Sequence, residues 1–367
     1  MHSESIELLK QLISTPSFSK EESGTADIIY NYIVSKGFKP NRHLNNIWIE
    51  HYGNKPNRPT VLLNSHHDTV KPTTGWVYDP FTPTIVDEKL IGLGSNDAGA
   101  SLVSLLVVFL RLNQKELPYN LIFSATAEEE NSGENGIESI LEKIGNIDLA
   151  IVGEPTKMEL AVGERGLMVL DCKVTGKSGH AARNEGINAI YKALPVIEWF
   201  KSYHFPMVSD VLGEVKMTVT QINAGYQHNV VPDVCDFVVD VRTNDLYSNA
   251  KALSIILDNA KCDVIPRSLR LNSSKVGTNH PIVVSAKKLG LPTYGSPTTS
   301  DQAVIPYPSV KIGPGDSARS HTANEFIYPE EITSGIEIYS KLLESLAFEN
   351  NSQRTQSEYK EDIANLA

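Results

Sequence analysis

Three short segments of this 367-residue chain place histidine or carboxylate side chains soon after an apolar run. The first is Ser65-His66-His67-Asp68. Residues two apart in an extended segment share a face, so His66 and Asp68 point together and His67 points away. A carboxylate beside a histidine can hold one ring nitrogen and leave the other for a metal ion. The same residues also read as a polar surface turn. The second is Ala127-Glu128-Glu129-Glu130. Adjacent carboxylates repel unless a positive charge joins them, so this is either a solvated loop or a site with one Glu for a metal and one for proton transfer. The third is Glu154, which Pro155 holds in an extended conformation. A glycine-rich turn, Ile91–Ala100, adds Asp97. Such turns can cradle phosphate, but this one has neither GxxxxGK[ST] nor GxGxxG spacing, and a lone Asp there also fits a helix cap. His321, in a Gly- and Ser-rich loop, could complete the set.

The elements that must position these groups alternate in type. Helical spacing over Ile6–Ile13 and Ile28–Val34 is followed by the apolar strand Thr60–Ser65 and the helix Ala100–Leu112. The strand Leu121–Ser124, the helix Ile137–Ile144 and the strand Leu149–Val152 come next. This pattern predicts an α/β domain with a mixed, largely parallel sheet flanked by helices. In such sheets sites form at the carboxyl ends of strands, where His66, Glu129, Glu130 and Glu154 fall. The middle of the chain changes character. Gly166–Thr175, Lys216–Ile222 and Val234–Arg242 alternate apolar and polar residues, with helices at Ile187–Phe200 and Asn249–Asn259. That pattern predicts an inserted α+β module with an antiparallel sheet, one edge of which could pair with another subunit. The expected division is a discontinuous catalytic domain, 1–165 and 277–350, an inserted domain, 166–276, and a polar tail, 351–367. A last helix is expected over Pro329–Phe348.

The net charge of −11 argues against nucleic acid or an anionic membrane as partner, since both call for a basic surface. Three scattered cysteines, with no CxxC pair, argue against a disulfide framework or a thiolate metal site, so any metal here uses His, Asp and Glu. The N-terminus has no signal-peptide pattern, and the cytoplasm is the expected compartment.

Five blocks, HHDTV, LGSNDAG, TAEEENSG, VGEPT and RSHTANEF, occur in the order and spacing of a known family. The chain resembles the dinuclear zinc peptidases and deacylases, a family that includes acetylornithine deacetylase, succinyl-diaminopimelate desuccinylase, aminoacylase and carboxypeptidase G-type enzymes. The resemblance runs from about Ile6 to Leu346. It implies two zinc ions, with cobalt or manganese as possible substitutes. His66 and Glu154 would bind one ion, Glu130 and His321 the other, and Asp97 both, with a cis peptide after Asp97. Asp68 would orient His66, and Glu129 would be the general base. The inserted module would be a lid and dimerisation domain, with His180 on the substrate carbonyl and Asn229 and Arg242 on the substrate carboxylate. The implied substrate is a small N-acylated amino acid, and the implied assembly is a homodimer. The TAEEENS and VGEPT blocks and Thr298-Thr299-Ser300-Asp301 put N-acetylornithine or an N-acylcitrulline first, which would mean arginine synthesis. N-succinyl-diaminopimelate or a dipeptide is the alternative. The chain departs from the family in Asp97-Ala98-Gly99-Ala100, where many members have Asp-x-Lys-Gly-Gly, in Glu128, where many have Asp, and in the lack of a proline soon after His180.

Overall fold

The computed structural model of the chain describes residues 2–51 and 53–348, so the expected tail lies outside the described residues. The described residues form two compact units: 2–162, 275–294 and 300–348, and 163–274 with 295–299.

The first unit is built on a mixed sheet. Its strands run in the spatial order Asn41–His43, Asn46–Glu50, Asn120–Thr126, Thr60–His66, Leu149–Val152, Ser309–Lys311 and Leu160–Glu164. Thr60–His66 is parallel to both neighbours, with His66 opposite Thr126 and Asn64 opposite Val152. Its residues from Val61 onward are all buried, so it reads as a continuous apolar run rather than an alternation, as a strand covered on both faces should. The helix Ala100–Leu112 is buried at almost every position. Leu105 in it is 0% exposed, and truncating such a residue to Ala costs about 2–5 kcal/mol. The aromatic ring of Phe109 lies 6.3 Å from that of Phe123 on the sheet. The last helix ends at Glu344, short of the expected Phe348, in a turn where the Leu346 N–H donates to Leu343.

The second unit has a four-stranded antiparallel sheet ordered Lys216–Ala224, Val234–Arg242, Met168–Thr175 and Asp263–Pro266. Met168, Leu170, Cys172 and Val174 face its core with Phe237, Val239 and Val241. The helices Ala189–Ser202 and Asn249–Asn259 supply Ala193, Phe200 and Ile256 to the same core. The first of these helices begins at Ala189 rather than Ile187. The Asn188 side chain accepts the Ile190 and Tyr191 N–H groups as an N-cap, while Ile187 pairs with Lys177 across an antiparallel bridge.

Candidate metal centre

The parallel register delivers the polar groups of the first unit to one place. His66 ends its strand, and Glu128–Glu130 and Glu154 follow the ends of the strands on either side. The His66 ring sends Nδ1 to the Asp68 carbonyl oxygen at 3.0 Å, with the Asp68 carboxylate at 3.5 Å. That leaves Nε2 facing Asp97 Oδ1 at 3.3 Å, Glu154 Oε1 at 3.8 Å and Glu129 Oε2 at 4.0 Å. On the other side, His321 Nε2 lies 2.9 Å from Glu130 Oε2 and 3.7 Å from Asp97 Oδ2. The two oxygens of Asp97 thus face different histidines, one beside Glu154 and one beside Glu130. The Asp97–Ala98 peptide is cis, as the resemblance implies. His67 points elsewhere, between the Thr25 hydroxyl at 2.8 Å and the Asn45 carbonyl at 2.9 Å, and burial pushes its pKa down to about 4, so it stays neutral.

Asp97, Glu129, Glu130 and Glu154, each little exposed to solvent, crowd around the buried His66 and the exposed His321. Burial pushes Glu154 up to about 8 and Glu129 well above the usual carboxylate range. Burial would lower His66, but the carboxylates of Glu129, Asp68 and Asp97 raise it well above 6.5. The Glu154 Oε1 atom is buried with no hydrogen-bond partner. Ligand atoms of His66, Asp97 and Glu130 lie within 4.8 Å of one another. A buried carboxylate oxygen with no hydrogen bond, in a cluster of carboxylates, is costly unless a cation joins it. The nitrogen and oxygen donors with no thiolate fit a hard or borderline divalent ion.

Several supporting residues escaped the sequence reading. The Asp68 carboxylate accepts the Ser19 hydroxyl at 2.7 Å and the Glu129 and Glu130 N–H groups at 3.1 Å each, so it holds the Glu turn as well as sitting beside His66. Glu325 is buried and accepts the N–H groups of Gly94, Asn96 and Asp97 at 3.1, 2.8 and 2.9 Å, which fixes the turn that presents Asp97. Asn96 binds the Asp316 carbonyl and the Ser320 hydroxyl, joining that turn to the His321 loop. Glu325 lies in the RSHTANEF block, and only the block's order among the others marked it.

His180, Asn229 and Arg242 belong to the second unit. His180 is exposed, and its Nδ1 accepts the Ala182 N–H at 3.1 Å, which leaves Nε2 as the protonated, outward nitrogen. The Asn229 carbonyl accepts the Ala181 N–H at 2.9 Å, so the two residues sit on neighbouring backbone segments. Arg242 gives Nε and Nη2 to the two oxygens of Asp240 at 2.8 and 3.0 Å, and Nη1 to the Thr299 hydroxyl at 3.2 Å. Asp240 therefore takes the Nε–Nη2 edge of the fork, and Thr299 engages Nη1.

The profile of Peptidase family M20/M25/M40 matches residues 62–345. Succinyl-diaminopimelate desuccinylase of Orientia tsutsugamushi (strain Ikeda) is 28% identical over 280 residues, 69% of this chain and 70% of that protein. Aminopeptidase PepT of Bacillus cereus shares the fold with a TM-score of 0.77 at 20% identity, over 95% of this chain and 99% of that one. A dinuclear metal-binding peptidase of the M20 family from Bacillus subtilis does so at 0.69 and 17%, over 93% and 97%. The match to the family extends from the strand that ends in His66 to the last helix. The chain belongs to peptidase family M20/M25/M40 and is a metal-dependent amidohydrolase.

Proposed function

We propose that this chain hydrolyses the amide bond of a small N-acylated amino acid, with N-succinyl-diaminopimelate as the first substrate. The observation that carries the reaction is the split environment of Asp97, one oxygen toward His66 and the other toward His321, with Glu129 alongside. The desuccinylases among its relatives favour the succinyl substrate over the N-acetylornithine or N-acylcitrulline that the sequence blocks put first. Arginine synthesis follows only if an acylated ornithine or citrulline proves to be the substrate.

His66 and Glu154 would hold one zinc ion, Glu130 and His321 a second, and Asp97 both; cobalt or manganese suits the same donors. Two bound divalent ions would lower the pKa of water toward neutrality and polarise the scissile carbonyl. Glu129 takes the proton of the attacking water and returns it to the leaving amine. The Nε2–H of His180 donates to the oxygen that gains charge, and Asn229 with Arg242 grips the substrate carboxylate. A homodimer belongs to this reading, supported by the solvent-facing edge strand Lys216–Ala224.

The test is amine release by zinc-loaded protein from N-succinyl and N-acetyl forms of diaminopimelate, ornithine and citrulline, together with simple dipeptides. Turnover of N-succinyl-diaminopimelate above the rest supports the reading. Turnover of dipeptides alone moves the chain to the peptidases and rejects it.

A further inference from the structure

We propose that Asp301 is a positioning residue whose buried carboxylate ties the end of the His66 strand to the end of the strand leading to Glu129. Asp301 is 6% exposed and opens the short turn Asp301–Val304. One of its oxygens, Oδ2, accepts the Asn64 side-chain amide at 2.7 Å and the Thr126 hydroxyl at 2.9 Å. Asn64 lies two residues before His66, and Thr126 lies three before Glu129. Asn64 has no freedom to turn away, because its own oxygen accepts the Ser124 hydroxyl at 2.6 Å. All three of these partners are 0% exposed.

The location of the tie gives it a purpose. The two strands are paired with Asn64 opposite Ser124 and His66 opposite Thr126. A final rung runs from the His67 N–H to the Thr126 carbonyl at 2.9 Å, and the chains then part toward Asp68 and Glu128. Asp301 clamps the pair from the side at that last rung. Burial pushes its pKa up to about 6, opposed by the charge on His66 and by the two donors. Groups behind a metal site set the direction of its ligands in this way. In the sequence, Asp301 stands out only through the resemblance of Thr298-Thr299-Ser300-Asp301 to one branch of the family.

The inference rests on His66 as a metal ligand and Glu129 as proton acceptor. Asp301→Ala is expected to lower kcat about 10- to 100-fold and to weaken zinc binding, read by chelator competition on folded protein, by a similar factor, with KM within about threefold. Asp301→Asn keeps one oxygen for both donors and should bring both quantities back to within about threefold of the parent. If Asp301→Ala does not fold, Thr126→Val, which keeps volume and removes one strand of the tie, should show the same split on a smaller scale. A role confined to stability would lower Tm and leave kcat and zinc affinity of the folded protein unchanged, and that result overturns the proposal. So does an Asn variant as damaged as the Ala variant. Normal turnover by Glu129→Gln would instead sink the reading of Glu129, whatever Asp301 does.

Discussion

His66 in the first unit is 1% exposed, with both ring nitrogens facing oxygen atoms. His180 in the second unit is exposed, and the amide of Ala182 fixes its tautomer from one side. Asp97 and Asp240 differ in the same way. Asp97 sits in a turn whose three N–H groups are bound by Glu325, whereas Asp240 is a strand residue that holds a single arginine. The first unit spends burial and repulsion on holding its chemical groups in advance. In the second, His180 and Asn229 are exposed, while Arg242 is half-buried against Asp240 and Thr299. Groups held in advance cost no reorganisation when charge develops in a reaction.

The largest test of that contrast is Glu129→Gln, which should lower turnover about 10²- to 10⁴-fold while metal content stays at the parent level. Near-normal turnover would place the proton acceptor elsewhere. His180→Ala comes next, with kcat expected to fall about 10²- to 10³-fold and Tm unchanged, because its ring is exposed. A fall in Tm comparable with that of a core variant would erase the distinction between the two units. Stripping the metal sharpens the comparison at the level of stability. Amide exchange should quicken at the ends of the strands Thr60–His66 and Asn120–Thr126, where carboxylates are left facing one another, and stay unchanged in Val234–Arg242. Saturating metal at 100 times its Kd would restore about 2.7 kcal/mol. The smallest effect belongs to Asp240→Ala, which should raise KM for a carboxylate-bearing substrate about tenfold through a loosened Arg242 and leave kcat alone. A matching loss of kcat would mean that Arg242 acts on the reacting atoms.

The legibility of these groups in the sequence followed their distance from an apolar strand. His66, Glu129, Glu130 and Glu154 follow short apolar runs, and a parallel sheet brings such ends together whatever the intervening chain does. His321 sits in a loop with φ of 58°, away from apolar periodicity, so it reads only as a candidate to complete the set until the order of the five blocks assigns it. Glu325 and Asp301 were illegible as supports for a different reason. Carboxylates in loops signal solvent, and their burial was decided by segments more than 170 residues away, as the separations of 175 between Thr126 and Asp301 and 228 between Asp97 and Glu325 make plain. The alternating strands of the second unit were readable because one face is core and the other is not. The substrate preference was the least readable, since motifs shared by a whole family carry little about the acyl group.

The helix Ala100–Leu112 has a consequence for how the protein is made. It packs against the helix Pro329–Glu344, which leaves the ribosome roughly 200 residues later, and the sheet beside it still lacks Ser309–Lys311 until then. At usual elongation rates the nascent chain carries that greasy helix without its cover for about 10–40 s. The second unit is nearly contiguous and has its whole sheet synthesised by Pro266. The antiparallel sheet of the second unit is thus synthesised before the sheet of the first, and the wait in between is the interval in which a chaperone has the most to shield.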